Sequence, residues 1–117
     1  MKDRKYSLYN KILELDDYTS RYIIVSIPKV HNNIRIHFQD EIYNLKKNMF
    51  YAVYNKGNIK MKYLVELQVN ISLIDMMLNQ LRMYDITKKH NIDVAISKLS
   101  DIKNIIYGWK FNEEKEK

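Results

Sequence analysis

Apolar residues recur along most of this chain at alternating spacings of three and four, most clearly at Leu64, Leu67, Ile71, Ile74, Leu78 and Leu81. At about 100° per residue these fall on one helical face, with Gln68, Ser72, Asp75 and Asn79 as a polar strip beside it. Such a heptad seam predicts a partner helix. A second apolar row, Val65, Val69, Leu73 and Met77, is spaced by four and lies roughly opposite the first. One seam serves a small bundle, whereas two require further neighbours.

The same periodicity organises the rest of the chain. Leu8, Ile12, Leu15, Tyr18, Tyr22 and Val25 predict a first helix over about residues 8–27, capped by Ser7 and stopped by Pro28, which disfavours helix in the residue before it. Ile23 to Ile27 is rich in β-branched residues, but a lone strand would find no partner here. A second helix over about 34–54, with Asn32 or Asn33 as cap, has the seam Phe38, Ile42, Leu45, Met49 and Ala52. A further row, Tyr43, Phe50 and Tyr54, lies off that seam. Asn55 to Asn58 supply a stop and a restart, with Gly57 suited to the left-handed residue after a helix end.

The third helix is expected over about 59–84. Asp85 to Thr87 form a tight connection, and Thr87 caps a fourth helix over about 88–110 with the seam Ile92, Ala95, Leu99, Ile102, Ile106 and Trp109. Gly108 beside Trp109 would let a backbone or ring approach closely. The charged tail, residues 112–117, is expected to fray. Four helices of about 20 residues with short loops predict one all-α domain over the whole chain, an antiparallel up-down-up-down four-helix bundle. The surplus rows, Phe50 and Tyr54 on one helix and Val65, Val69, Leu73 and Met77 on the next, are the expected oligomer interface.

Composition narrows the function classes. With 117 residues, two glycines and one proline, the chain has room for one core and few turns. The absence of cysteine removes disulfides and thiolate metal sites and agrees with a cytoplasmic setting. Met1 to Lys11 is charged, so no signal peptide is expected, and no run approaches the roughly 18 apolar residues of a membrane span. A net charge of +6 favours an anionic partner. A chain rich in Lys, Asn, Ile and Tyr is also what an AT-rich genome produces.

Little else suggests chemistry. His31 and His37 are six apart and share no helical face, and with His90 they form no metal-ligand pattern. Glu14, Asp16 and Asp17, and likewise Asp40 and Glu41, are adjacent carboxylates that point in different directions on a helix. With no phosphate-binding glycine loop or nucleophile motif, the expectation is a protein without catalytic activity, metal or cofactor. The basic residues are better organised: Arg35, Lys46, Lys47, Lys56, Lys60 and Lys62 face only Asp40 and Glu41 between Ile34 and Tyr63, supplying +4 of the total. Lysines neutralise phosphates and tyrosines such as Tyr51, Tyr54 and Tyr63 stack on unpaired bases, so this stretch suits single-stranded or structured RNA. It equally suits a solvated lysine face over core tyrosines. Val65 to Leu81 carries no Lys or Arg, which interrupts any continuous basic surface.

Ser26, Ile27, Pro28, Lys29 and His31, then Arg35 and Phe38, and Ala52 ahead of the Lys56 and Gly57 turn, resemble the second-helix region of the accessory variability determinant of diversity-generating retroelements. The closing Ile105, Ile106, Tyr107, Gly108 and Trp109 is similar to the Gly-Trp ending of that family's fourth helix. The likeness spans about residues 8–110, and the same superfamily includes proteins encoded in intervening sequences of large-subunit ribosomal RNA. It implies a four-helix protomer assembled into a basic homopentameric barrel, which binds nucleic acid (RNA or DNA) and a reverse transcriptase and catalyses nothing itself. The family often carries arginines within its third helix, whereas here Arg82 is the first basic residue after Lys62. The candidate nucleic-acid contacts are therefore Arg35, Lys46, Lys47, Lys56, Lys60, Lys62 and Arg82. The alternative is a homo-oligomeric protein-interaction scaffold of the intervening-sequence type, without a nucleic-acid role.

Overall fold

A computed structural model describes the backbone of residues 2–115 and the side chains of residues 7–113. Four long helices, α1 (Lys2–Tyr22), α2 (Asn32–Val53), α3 (Gly57–Met83) and α4 (Lys89–Lys115), pack against one another, and no strand occurs among the described residues. This arrangement is compatible with a four-helix bundle. Neighbouring helices run in opposite senses: Asp16 meets Lys46 between α1 and α2, Tyr51 meets Tyr63 between α2 and α3, and Lys60 meets Glu113 between α3 and α4. Lys11 of α1 meets Asp101 of α4 and Tyr18 meets Asn91, which closes the ring of contacts. The particle measures 48 × 22 × 20 Å, as expected when helices rising about 1.5 Å per residue lie side by side.

The predicted seams are the core. All six seam residues of α3 and all six of α4 are at most 4% exposed, and Phe38, Leu45 and Ala52 of α2 are fully buried. Two asparagines join them. Asn48 on α2 donates its amide to Oδ1 of Asn70 on α3 at 2.8 Å, and Asn70 donates to Glu41 at 3.4 Å. A buried amide without a partner costs about 1–3 kcal/mol, so this pair favours the α2–α3 register that matches them.

The first helix differs from expectation. It begins at Lys2, so Ser7 lies within the helix, and it ends at Tyr22, five residues before the stretch expected to close it. Thr19 bonds back to the Leu15 carbonyl at 2.8 Å, and Ile23, Ile24 and Val25 form a β-branched run that holds a helix poorly. The chain instead makes 3-10 turns at Ile24–Ser26 and Lys29–His31. These turns drop Ile23 and Ile27 into the core and leave Tyr22 and Val25 outside, 48% and 72% exposed.

The caps also differ. His31 occupies the cap position of α2, without a side-chain cap bond, and Asn32 is already helical. Thr87 does not cap α4: it is buried and shares a 2.7 Å hydrogen bond with Ser26, tying the two connections together. Gly57 adopts the expected left-handed conformation, φ 60°, and opens α3. Asp85 does the same at φ 55°, where its amide bonds to the Arg82 carbonyl and that of Ile86 to the Leu81 carbonyl, a Schellman ending built on Asp. Gly108 faces open space: a methyl group in place of its α-hydrogen would meet nothing within 4 Å, so no close approach uses it. Helix α4 continues through Lys115, so the expected frayed tail is helical to that point, and residues 116 and 117 lie outside the described chain.

Candidate nucleic-acid interface

The seven candidate cations fall into two groups. Four are engaged within the chain. Arg35 donates from a guanidinium nitrogen to the Ile27 carbonyl at 2.6 Å, pinning the connection between α1 and α2, while its Nε is buried without a hydrogen-bond partner among the described residues. Lys46 pairs with Asp16 at 3.0 Å, and Arg82 pairs with Asp93. Lys60 lies 3.2 Å from Glu113 and 4.7 Å from the centroid of Trp109, the only tryptophan, with both charged side chains less than one-fifth exposed. A cation so placed holds the α3–α4 corner rather than reaching for a phosphate.

Lys60→Met is accordingly expected to lower stability by about 1–2 kcal/mol and to shift the Trp109 emission. Thermal unfolding followed by tryptophan fluorescence checks both.

The other three, Lys47, Lys56 and Lys62, are exposed, and none forms an ion pair among the described residues. They lie toward the end of the α2–α3 hairpin where the two helices connect. Lys47 precedes Tyr51 by one helical turn, Lys56 lies in the connection, and Lys62 adjoins Tyr63 with its ammonium 5.4 Å from that ring. Tyr51 and Tyr63 stack across the two helices, centroids 4.7 Å apart and planes 19° from parallel. A groove of about 560 Å³ lined by Tyr43, Lys46, Lys47, Phe50, Tyr51 and Tyr54 runs beside them.

Two separate apolar faces remain uncovered. On α3, Val65, Val69 and Leu73 are 42%, 50% and 38% exposed as expected, but Met77 is only 6% exposed. Met77 turns toward α2, and Met76, 51% exposed, takes its place in the outward row. On the other side, Phe50 and Tyr54 stack at 6.3 Å, and Tyr9 of α1 meets the Phe50 ring edge-on. Leu13 extends that face. The α1 residues Tyr9 and Leu13 escaped sequence reasoning because both sit off the helix's inward stripe, where single apolar residues are ordinary.

Three histidines remain apart, in the Lys29–His31 turn, on α2 and at the start of α4. Among the described residues no three His, Asp or Glu side chains gather in a way that could hold a metal ion. Burial, reinforced by neighbouring Tyr22, raises the Tyr18 hydroxyl above its ordinary value, so it stays protonated near neutrality. No described helix is long and apolar enough to cross a membrane. No protein-family model, no curated protein and no solved structure matches the chain.

Proposed function

We propose that this is a non-catalytic, self-assembling accessory protein that binds nucleic acid and a reverse transcriptase, of the diversity-generating retroelement type it resembles. The observation that carries the reading is the gathering of Lys47, Lys56 and Lys62 at one end of the α2–α3 hairpin, exposed and without internal carboxylate partners among the described residues. Lysines left unpaired are the ones available to neutralise phosphates. The reverse transcriptase and the count of five subunits come from the resemblance alone.

Assembly has its own support. The α3 row of Val65, Val69, Leu73 and Met76 and the face of Tyr9, Leu13, Phe50 and Tyr54 are different surfaces. Packing one against the other makes a head-to-tail contact, and such contacts close into rings when the rotation allows. The up-down-up-down bundle is then the building block of the ring.

A second reading, a protein-interaction scaffold with no nucleic-acid role, is favoured by the internal pairing of Arg35, Lys46, Lys60 and Arg82. Anisotropy of a labelled structured RNA across a salt series separates the two. Three phosphate contacts predict a loss of affinity of roughly 10- to 50-fold between about 50 and 200 mM salt. Absent or salt-insensitive binding would leave the scaffold reading in possession.

A further inference from the structure

We infer that the Tyr51–Tyr63 stack is a base-stacking platform, which makes the preferred ligand a single-stranded nucleic acid segment rather than a duplex. The inference rests on the nucleic-acid reading above and adds the class of strand.

Three features of the pair support it. First, it lies at the rim where α2 and α3 meet: Tyr51 is 45% exposed, whereas Phe38 and Leu67 on the same two helices are fully buried. Tyr63 packs partly against the core and presents Tyr51 at the surface. Second, the rings are ordered before any ligand arrives. Tyr63 stacks on Tyr51 at 4.7 Å and carries the Lys62 ammonium beside it, and the Asn55 amide bonds the Tyr51 carbonyl at 2.6 Å, securing the helix end. A preordered ring gives up little conformational freedom on binding.

Third, the cations flank the rings. Lys47 lines a groove with Tyr51, the Lys62 ammonium lies 5.4 Å from Tyr63, and Lys56 sits in the connection between the two helices, so a backbone held by them runs past the tyrosines. Positive charge alone does not discriminate between strands, because both kinds carry phosphates. An aromatic face does: bases of a duplex are already stacked and paired, whereas unpaired bases are free to stack on a ring. Every base has a π face, so the platform tolerates sequence. The platform adjoins the proposed subunit contact: Tyr51 and Lys47 line one groove with Phe50 and Tyr54, and Lys62 lies one turn before Val65 on α3.

The test compares one labelled RNA of about 20 nucleotides, free of self-complementarity, as single strand and annealed to its complement, at equal salt. The full-length protein is expected to bind the single strand about tenfold tighter or more. Tyr51→Leu should erase that preference while duplex affinity stays put. Tyr51→Trp, which keeps an aromatic face, should retain it, with circular dichroism and sedimentation unchanged in both variants. Equal, salt-sensitive binding of the two RNAs, or a preference that survives Tyr51→Leu, overturns the platform and leaves the nucleic-acid reading standing. Binding of neither RNA overturns both.

Discussion

Ile74→Glu is expected to unfold the protein, while Val69→Glu is expected to leave the helices intact and to break the proposed assembly into 14.2 kDa protomers. The two positions lie on opposite sides of α3. Ile74 is fully buried in the seam, and Val69 is 50% exposed in the outward row. An unpaired carboxylate in a dry core costs several kcal/mol, against a total stability of about 5–15 kcal/mol for a domain of this size. On the exposed face the same carboxylate remains in water and changes folding stability by about 0.5 kcal/mol or less. Between subunits it would have to be desolvated without a partner, which an interface tolerates poorly. Circular dichroism and sedimentation velocity on the two variants separate the outcomes. A monomeric unsubstituted protein would remove the ring from the proposal.

Much of the core was legible because burial on a helix leaves a period that sequence retains. Every seam residue expected on α2, α3 and α4 is buried, including Ala95 and Trp109, which differ greatly in size. The end of α1 was not legible. Tyr22 and Val25 happen to continue the stripe, and only the Thr19 back-bond and the β-branched run after it break the helix early. Met76 and Met77 differ by one residue, about 100° of helix. Which of them turns inward depends on the flank that α2 takes, and the pattern of one helix does not contain that information. The buried Asn48–Asn70 pair was hidden for a related reason: each asparagine alone reads as a surface residue, and only their mutual hydrogen bond makes burial tolerable.

The candidate site was half legible. Composition identified the basic stretch, but the pairing that divides it is long-range. Lys46 finds Asp16 on another helix, Lys60 finds Glu113 near the far end of the chain, and Arg82 finds Asp93 across a turn. Among the seven candidates, exposure and pairing leave Lys47, Lys56 and Lys62; Lys29, Lys88, Lys89 and Lys103, outside the basic stretch, are likewise exposed and form no ion pair among the described residues. The proposed contact through Lys47, Lys56 and Lys62 does not require the stretch from Val65 to Leu81, which carries no positive charge.

The largest functional effect follows from that division. Replacing Lys47, Lys56 and Lys62 together by Gln is expected to weaken RNA binding by about 10- to 100-fold at low salt, because each lost lysine forfeits a phosphate contact and its counterion release. Secondary structure and melting temperature should change little, since none of the three has an ionic partner among the described residues to lose. Replacing Lys46, Lys60 and Arg82 by Gln removes the same amount of charge from a total of +6, but from residues engaged with Asp16, Glu113 and Asp93. That variant should lose stability and keep RNA affinity within about threefold, the share due to diffuse charge alone.

Whether the unpaired lysines form the nucleic-acid contact is decided by the affinity of these two charge-matched variants for one labelled RNA, measured side by side at the same ionic strength. A large loss is expected for the Lys47, Lys56 and Lys62 variant and a small one for the Lys46, Lys60 and Arg82 variant; equal losses, or the reverse order, would contradict that assignment.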